Sequence, residues 1–350
     1  MVKALLIMYP DKFVIEECVA LAESAGYEPA AMLTQRYLSR SKFGIGEGKA
    51  EEASRMVREL NIEKIVFDAK LKASQAYNLA KVCKTEVIDR EKLILEIFAK
   101  RAHTAESKLQ VELAELTYQL PRARDMVRMA KMGEQPGFFG LGKYEVEIYV
   151  RMIKRRISTL KKKVEEIRKR REVLRARREK IGLPSVAITG YTGSGKTTLF
   201  NLLSSEKKEV NAGVFTTLST TTRGIIVDGT KFLISDTVGF LSRLPHYMIE
   251  AFHSTLEEVS LSNLVLLLLD SSLPEDMLLK NFETCIETLQ ELGVPQDKIL
   301  NVINKVDVSG KGQAIEKSKM LGLKNPILIS AKEGFGIERL LEEIKMRLSV

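Results

Sequence analysis

The stretch Gly190-Tyr191-Thr192-Gly193-Ser194-Gly195-Lys196-Thr197 decides the fold of this chain. It follows a short apolar run at 185–189 that predicts a β-strand, and a helical pattern begins directly after it. In a G-x-x-x-x-G-K-T loop between a strand and a helix, the glycines let backbone N–H groups converge on phosphate oxygens. Lys196 reaches the β- and γ-phosphates, and the Thr197 hydroxyl ligates Mg²⁺. The stretch therefore predicts a phosphate-binding loop in an α/β domain.

Two further segments extend this predicted phosphate site. Asp236-Thr237-Val238-Gly239 ends a predicted strand, where the acid holds Mg²⁺ through its water shell and the Gly239 N–H reaches a γ-phosphate. Between the two motifs lies the hydroxyl-rich segment that begins Phe215-Thr216-Thr217-Leu218-Ser219. One threonine of this segment should complete the Mg²⁺ shell when γ-phosphate is present, which makes the segment a switch. We predict Thr217, with Thr216 and Thr221 as alternatives, and assign the catalytic contacts to Lys196, Thr217 and Gly239.

The choice of base is carried by Asn304-Lys305-Val306-Asp307, at the end of another predicted strand. An Asp carboxylate accepts from two N–H donors of guanine, whereas adenine would leave it unpaired, at a cost of about 1–3 kcal/mol or more. Asn304 should brace the loop while the Lys305 stem lies over the base. Ser330-Ala331-Lys332 ends the last strand, where a backbone N–H reaches the guanine carbonyl oxygen. These ordered motifs predict GTP as the nucleotide.

The residue after Gly239 is Phe240, at the position where many GTPases carry a glutamine that orients the attacking water. Phenylalanine cannot perform this role. We therefore expect slow hydrolysis by the protein alone, with a partner or another polar residue positioning the water.

The rest of the pattern predicts an α/β fold in three parts. Residues 1–90 alternate strands and helices and predict a small parallel α/β domain. Residues 91–181 predict an antiparallel helical hairpin with helices at about 91–131 and 143–181, and residues 182–350 a doubly wound P-loop GTPase domain. Within the first part, Phe43–Lys49 (FGIGEGK) is either a plain turn or a phosphate or RNA contact.

The positive charge of the chain is concentrated in the predicted hairpin. The formal charge is +9, but residues 151–180 hold 15 Lys+Arg and 4 Glu, a net +11 that leaves −2 on the remaining chain. This run is either a solvated helix face or a contact for RNA phosphates. It also carries apolar residues at heptad spacing, which predicts packing against an upstream helix. The second-helix positions are Val150, Ile153, Ile157, Leu160, Val164, Ile167 and Leu174, and their partners are Leu109, Leu113, Leu116 and Leu120.

Composition excludes several other classes of protein. With 45% hydrophobic residues the chain is not disordered, and three scattered cysteines support neither a disulfide framework nor a zinc knuckle. No apolar run reaches about 18 residues, the minimum for a membrane span. A membrane-surface GTPase is disfavoured because the apolar face of the basic helix lacks Trp and Phe. We expect a cytoplasmic monomer without membrane association.

Nearly the whole sequence resembles the HflX family of translation-factor-class GTPases. The resemblance is carried by the motifs GYTGSGKTTLFN, FTTLSTTTR and DTVGF, by Val87–Arg90 with the segment up to His103, and by Lys108–Leu113. It implies GTP contacts at Gly190–Thr197, Phe215–Ser219, Asp236–Gly239, Asn304–Asp307 and Ser330–Lys332, with Mg²⁺ on Thr197 and Thr217. It further implies a factor that binds the large ribosomal subunit and its RNA and acts in ribosome dissociation or rescue, in translation or in ribosome biogenesis. The main alternative is an RNA-binding scaffold in which GTP is only structural.

Two departures from the family pattern are visible. Gly193 and Ser194 stand where the family usually has Asn-Ala. The glycine-rich segment of the family is reduced to Gly140-Leu141-Gly142-Lys143.

Overall fold

The computed structural model describes residues 1–38, 42–131, 143–204, 215, 217–218 and 220–348. These residues form two compact units, Met1–Glu165 and Glu166–Val350. The boundary between the units falls inside one long helix. The division of the chain into three domains remains a prediction.

The first unit opens with a four-stranded sheet in which every strand is parallel to its neighbours, in the order β2-β1-β3-β4. The small parallel sheet predicted for this region is confirmed. Its core is formed by apolar side chains such as Leu5, Ile7, Ile65 and Phe67, all with no solvent exposure. The elements are β1 (Val2–Met8), α1 (Lys12–Ser24), β2 (Tyr27–Thr34), α2 (Glu47–Glu59), β3 (Lys64–Phe67), α3 (Ala73–Cys83) and β4 (Glu86–Asp89).

The Asp89-Arg90 pair at the end of β4 is a structural junction. Asp89 accepts hydrogen bonds from the backbone N–H groups of Leu71 and Lys92 and from the side chains of Tyr118 and Arg122. Burial and the neighbouring Asp89 charge raise the pKa of Tyr118, which keeps its hydroxyl a donor. Two further groups of the same unit, the buried carboxylates of Asp68 and Glu17, each lie 2.6 Å from the Arg90 guanidinium. A buried charge that is paired on both sides is costly to break, so these residues have a clear structural role.

The helix predicted at 91–131 is in fact two helices, α4 (Arg90–Arg101) and α5 (Ala105–Lys131), so this prediction was wrong. Ala102 has an extended backbone that ends α4. Thr104 and Ser107 then cap the start of α5 reciprocally, because each hydroxyl accepts from the other residue's backbone N–H at 3.1 Å. This pairing satisfies donors that a helix start leaves exposed.

The second hairpin helix, α6 (Lys143–Lys180), runs antiparallel to α5. Arg156 makes a two-pronged ion pair with Glu112, at 2.6 and 3.0 Å, and Tyr149 donates to Gln119 at 3.4 Å. From Glu112 to Gln119 the chain advances seven residues along α5, while their partners on α6 go back seven residues, from Arg156 to Tyr149. The two helices are therefore antiparallel, as predicted.

The predicted heptad seam on α6 is confirmed in part. Ile153 and Leu160 are buried, at 3% and 0% exposure, whereas Leu174 is 49% exposed. Extending the register of the hairpin places Ala105, the first residue of α5, opposite Lys163. Lys163 is therefore the last residue of α6 that this register pairs with α5.

The second unit is a six-stranded sheet in the order β10-β9-β8-β5-β7-β6, in which only the β6–β7 pair is antiparallel. This confirms the doubly wound α/β fold. All seven residues of the central strand β8 are buried. The elements are β5 (Ser185–Gly190), α7 (Lys196–Ser204), β6 (Thr221–Val227), β7 (Thr230–Asp236), α8 (His246–Ala251), α9 (His253–Ser260), β8 (Leu264–Asp270), α10 (Glu275–Glu291), β9 (Ile299–Asn304), α11 (Val306–Ser309), α12 (Lys311–Met320), β10 (Ile327–Leu328) and α13 (Ile337–Leu348).

The apolar spacing of residues 246–259 predicts one helix, but the structure interrupts it at Phe252, so this prediction is wrong. The Phe252 backbone leaves the helical region while its side chain stays buried. The chain therefore forms two short helices, α8 and α9, where the pattern predicted one.

Three strands of the second unit end in residues of the predicted site, and a fourth strand, β8, ends beside them in an acid that was not predicted. The carboxyl ends of β5, β7, β8 and β9 carry Gly190, Asp236, Asp270 and Asn304. Because parallel strands end at the same edge of a sheet, these residues lie where doubly wound folds bind their ligands.

Candidate nucleotide-binding site

Two glycines of the loop between β5 and α7 are required by close approach of neighbouring atoms. Gly190 has φ +143°, and a Cβ there would lie 2.4 Å from the carbonyl oxygen of Leu268. Gly195 has φ +94°, and a Cβ there would lie 2.3 Å from Nδ2 of Asn304. The loop therefore packs closely against β8 and against Asn304–Asp307, the predicted base-recognition loop. Only glycine fits at these two positions.

Lys196 is buried at the first position of α7, with 7% of its surface exposed. Its ammonium group donates to the carbonyl oxygens of Gly190 and Tyr191 at 3.1 and 2.8 Å. Burial lowers the pKa of Lys196 to about 8, although the nearby Asp236 charge opposes the shift. A cation held in a poorly solvated loop is well placed to bind phosphate oxygens.

This pKa predicts a pH dependence of stability in the absence of nucleotide. Below about pH 8, Lys196 carries a proton in both the folded and the unfolded protein. Between about pH 8 and the ordinary lysine pKa of 10.5, the folded protein has released this proton while the unfolded chain still holds it. The unfolded state therefore binds more protons in this window, and the free energy of unfolding should rise with pH by about 1–3 kcal/mol from this group. Urea denaturation at pH 7, 8, 9 and 10, beside a Lys196→Met variant that has no such proton, measures the effect. The prediction would be contradicted if the difference in free energy of unfolding between the two proteins stayed the same from pH 7 to pH 10.

Thr197, Thr217 and Asp236 form a compact set of oxygen donors. The two hydroxyls are 3.0 Å apart, and they lie 3.1 and 2.7 Å from Oδ2 of Asp236. Hydroxyl and carboxylate oxygens are the ligands that Mg²⁺ prefers, so the donor set fits this ion. In the part of the chain that the structure describes, no group of three or more His, Cys, Asp or Glu side chains could hold a metal.

The geometry favours Thr217 among the candidate switch threonines, although its assignment to Mg²⁺ stays a proposal. Thr217 is buried against Asp236, whereas Thr221 is half-buried in β6. The neighbours Phe215 and Leu218 are buried. Thr216 and Ser219 lie outside the described residues, so the structure does not place them.

The segment after β7 is held tightly against the phosphate loop. A Cβ at Gly239 would lie 2.8 Å from the Lys196 ammonium and 3.2 Å from Cα of Thr192. Phe240 donates its backbone N–H to Gly190 O at 3.0 Å and accepts from the N–H of Thr192 at 2.9 Å. Its side chain is 4% exposed. Phe240 is thus a core residue, and its backbone pairing with the phosphate loop was not predicted from the sequence.

Other predicted contacts in this region have clear partners. Thr237 donates to Ile188 O at 2.7 Å, and the Tyr191 hydroxyl accepts from the N–H of Ser242 at 3.0 Å. Val238 is buried. The side chains of Thr237 and Tyr191 are therefore engaged within the protein.

Asn304 connects three of the predicted loops. Its Nδ2 donates to Ser194 O at 2.8 Å, and its Oδ1 accepts from the N–H of Ala331 at 2.9 Å. The bracing role predicted for Asn304 is thus visible as bonds to the phosphate loop on one side and to the segment after β10 on the other. Ser330 is buried and accepts from the N–H of Glu333, while Lys332 is exposed.

Lys305 is the residue between β9 and α11, and Asp307 is in the first turn of α11. Lys305 has a left-handed backbone, φ +65°, and its ammonium lies 2.5 Å from Oδ2 of Asp270. Asp307 is exposed in the first turn of α11, and Val306 is buried beneath it. The carboxylate predicted to read the base is therefore accessible to a ligand. Asp270 was not predicted, although an acid at a strand end is a signal that the sequence does carry.

The glycine-rich Phe43–Lys49 segment has a structural explanation at its centre. A Cβ at Gly44 would lie 2.6 Å from Leu71 and 2.9 Å from Phe67, and Ile45 is fully buried. These contacts account for Gly44 as a packing residue. The Gly140-Leu141-Gly142-Lys143 connection begins outside the described residues.

The comparisons with known proteins agree with this geometry. Three family models match the chain: "GTP-binding GTPase N-terminal" at residues 13–99, "GTP-binding GTPase Middle Region" at 101–178 and "50S ribosome-binding GTPase" at 185–305. The GTPase HflX of Methanocaldococcus jannaschii is 44% identical, over 97% of this chain and 84% of its own. The chain belongs to the HflX family of GTPases. The resemblance found in the sequence is confirmed, and with it the assignment as a GTP-binding GTPase.

Two further relatives extend the match. The GTPase HflX of Thermococcus kodakarensis is 40% identical, over 93% of this chain and 75% of its own. Among solved structures, a GTP-binding protein of Sulfolobus solfataricus in complex with GDP matches 100% of this HflX chain and 99% of its own, at 29% identity and a TM-score of 0.53. Within the described ranges, no helix combines the length and the apolar character needed to cross a bilayer.

Proposed function

We propose that this HflX protein is a GTP-switched factor that binds the RNA of the large ribosomal subunit and acts in ribosome dissociation or rescue. The observation that carries the proposal is the +11 charge of residues 151–180, which lies on a helix ending only a few residues before β5 of the GTPase unit. Phosphate neutralisation by clustered Lys and Arg is the main source of affinity for nucleic acids. The match of residues 185–305 to a 50S ribosome-binding GTPase model supports the same partner.

The roles of the site residues derive from their positions. Lys196 neutralises charge on the β- and γ-phosphates, Thr217 senses the γ-phosphate, and the Gly239 N–H binds its oxygen. Mg²⁺ held by Thr197 and Thr217, with Asp236 acting through water, supplies further charge neutralisation when bound. The protein can act as a switch because only GTP presents a γ-phosphate to Thr217 and Gly239.

We propose that hydrolysis is slow until the ribosome is bound. The Phe240 side chain is buried and apolar, so it cannot orient water. His246, a few residues on, is 82% exposed and lies 3.7 Å from Glu250, which suits an ordinary surface pair. A group from the ribosome, or a polar residue that moves on binding, must then position the attacking water.

Co-sedimentation with large subunits, in the presence of GDP or a non-hydrolysable GTP analogue, tests the proposal. We expect the protein to pellet with the subunit at low salt, and to do so more strongly with the GTP analogue. The proposal would be contradicted if the protein did not pellet with the subunit at low salt, neither with GDP nor with the GTP analogue.

A second function, an RNA-binding scaffold with structural GTP, is favoured by one observation, the buried Phe240 in place of a water-orienting residue. A phosphate-release assay separates the two functions. The switch predicts turnover that rises when large subunits are added, whereas the scaffold predicts no turnover in either condition. We further propose that the factor acts in the cytoplasm as a monomer, which light scattering during size-exclusion chromatography tests.

A further inference from the structure

The loop that comes after β8 forms a network with the predicted base-recognition loop. β8 and β9 are parallel neighbours, and their register places Asp270 directly beside Asn304. Asp270 is 8% exposed, and its two carboxylate oxygens have different partners. Oδ2 lies 2.5 Å from the Lys305 ammonium, and Oδ1 accepts from the N–H and the hydroxyl of Ser272 at 2.9 and 2.5 Å. The carboxylate is therefore held from both sides.

Ser271 fixes the backbone of the base-recognition loop directly. Its N–H and its hydroxyl both donate to Asn304 O, at 3.0 and 2.7 Å. The same hydroxyl lies 2.8 Å from that of Ser309, which ends α11. Ser271 thus contacts the loop on both sides of Asp307, the residue predicted to read guanine.

Lys317 of α12 holds the backbone of the loop after β8 through two hydrogen bonds. Only 9% of Lys317 is exposed, and its ammonium donates to the carbonyl oxygens of Ser271 and Leu273, both at 2.7 Å. A buried cation needs such partners to offset its lost hydration. The loop is thereby fixed before any ligand arrives, which limits the ordering cost of binding.

We propose that Asp270 is a positioning residue for guanine-nucleotide binding, an inference that rests on the proposed function of this site. Its carboxylate holds the Lys305 ammonium, so that the methylene stem of Lys305 lies along one face of the guanine ring. Ser271 and Lys317 hold the loop that presents Asp307 to the edge of the same ring. A long, flexible lysine side chain loses much rotamer freedom when it covers a base, and the Asp270 contact removes that freedom in advance.

The Asp270→Asn variant isolates the contact with Lys305. The Asn carbonyl oxygen still accepts from Ser272, but the amide group turned toward Lys305 is a donor and meets another donor. We expect the dissociation constant for a fluorescent GDP analogue to rise about tenfold, which is the scale of one charge-assisted hydrogen bond. Asp228→Asn is the matched control: Asp228 is an exposed acid of the same unit, paired with Lys345 at 3.5 Å, and its change should leave the dissociation constant unaltered.

A double-variant cycle distinguishes positioning from general destabilisation. Lys305→Met keeps most of the stem and removes the ammonium, so it should weaken GDP binding as much as Asp270→Asn does. The combined variant should bind no more weakly than either single variant, because both changes remove the same contact. Effects that add in the combined variant, or an unchanged affinity in Asp270→Asn, would overturn the proposal. If the unaltered protein itself fails to bind GDP, the proposed function fails instead.

Discussion

Replacing Asp307 with Asn is expected to lower the affinity for GTP by about 10³- to 10⁴-fold and to raise that for xanthosine triphosphate. A carboxylate accepts from both the ring N–H and the exocyclic amino group of guanine. An Asn side chain offers one acceptor and one donor, so its amide N–H₂ meets the amino group of guanine as a second donor. Xanthine carries a carbonyl oxygen at that position and restores both bonds. Asp307 is exposed in the first turn of α11, so the change should alter recognition without disturbing the core.

Competition against a fluorescent GDP analogue, using GTP, xanthosine triphosphate and ATP, measures the change in base preference. Asp297→Asn is the matched control, because Asp297 is another exposed acid of the same unit, on a turn away from the β9 carboxyl end. This control should keep the GTP preference of the unaltered protein. An Asp307→Asn variant that binds GTP normally and gains nothing for xanthosine triphosphate would show that the base is read elsewhere.

The parts of the site that could be predicted from the sequence are those formed by residues close together along the chain. The strand, loop and helix around Lys196 succeed one another without a gap, so their joint geometry is set by short-range rules. Asn304 was predicted as a brace for the same reason, since it stands at a strand end in a recognisable motif. The bonds it makes to Ser194 and Ala331 agree with that role.

The parts that were missed depend on contacts between distant segments. Asp270 lies beside Asn304 only because β8 and β9 are neighbours in a particular register, which no local pattern encodes. Lys317 looks like an ordinary helix residue until the fold buries it under Ser271. The break before α5 was missed for another reason, because Thr104 and Ser107 satisfy helix donors by capping and so interrupt a pattern that otherwise continues.

Binding to the large ribosomal subunit is expected to weaken about 10³-fold or more between 50 and 200 mM salt. The physical reason is release of counterions from RNA phosphates by the basic residues of α6. Lys161, Lys162 and Lys163 form an exposed run near the middle of this helix. Replacing all three with Ala should reduce the slope of log affinity against log salt by about 2–3, because each lost phosphate contact contributes about 0.7–0.9. Alanine is the strongest helix former, so the helix itself should persist.

The matched control replaces the same three lysines with arginine, which keeps the charge and the helical propensity while changing the shape of each side chain. If α6 binds RNA through phosphate neutralisation, the arginine variant should keep the salt slope of the unaltered protein and the alanine variant should lose part of it. The experiment uses the nucleotide-saturated protein with both units present, so that GTP binding is constant across the variants. Equal slopes in all three proteins would mean that the +11 charge on residues 151–180 is a solvated helix face. In that case RNA would have to be contacted by another surface of the protein. The basic run of α6 would then serve as a solvated helix face, the other interpretation that its sequence allows.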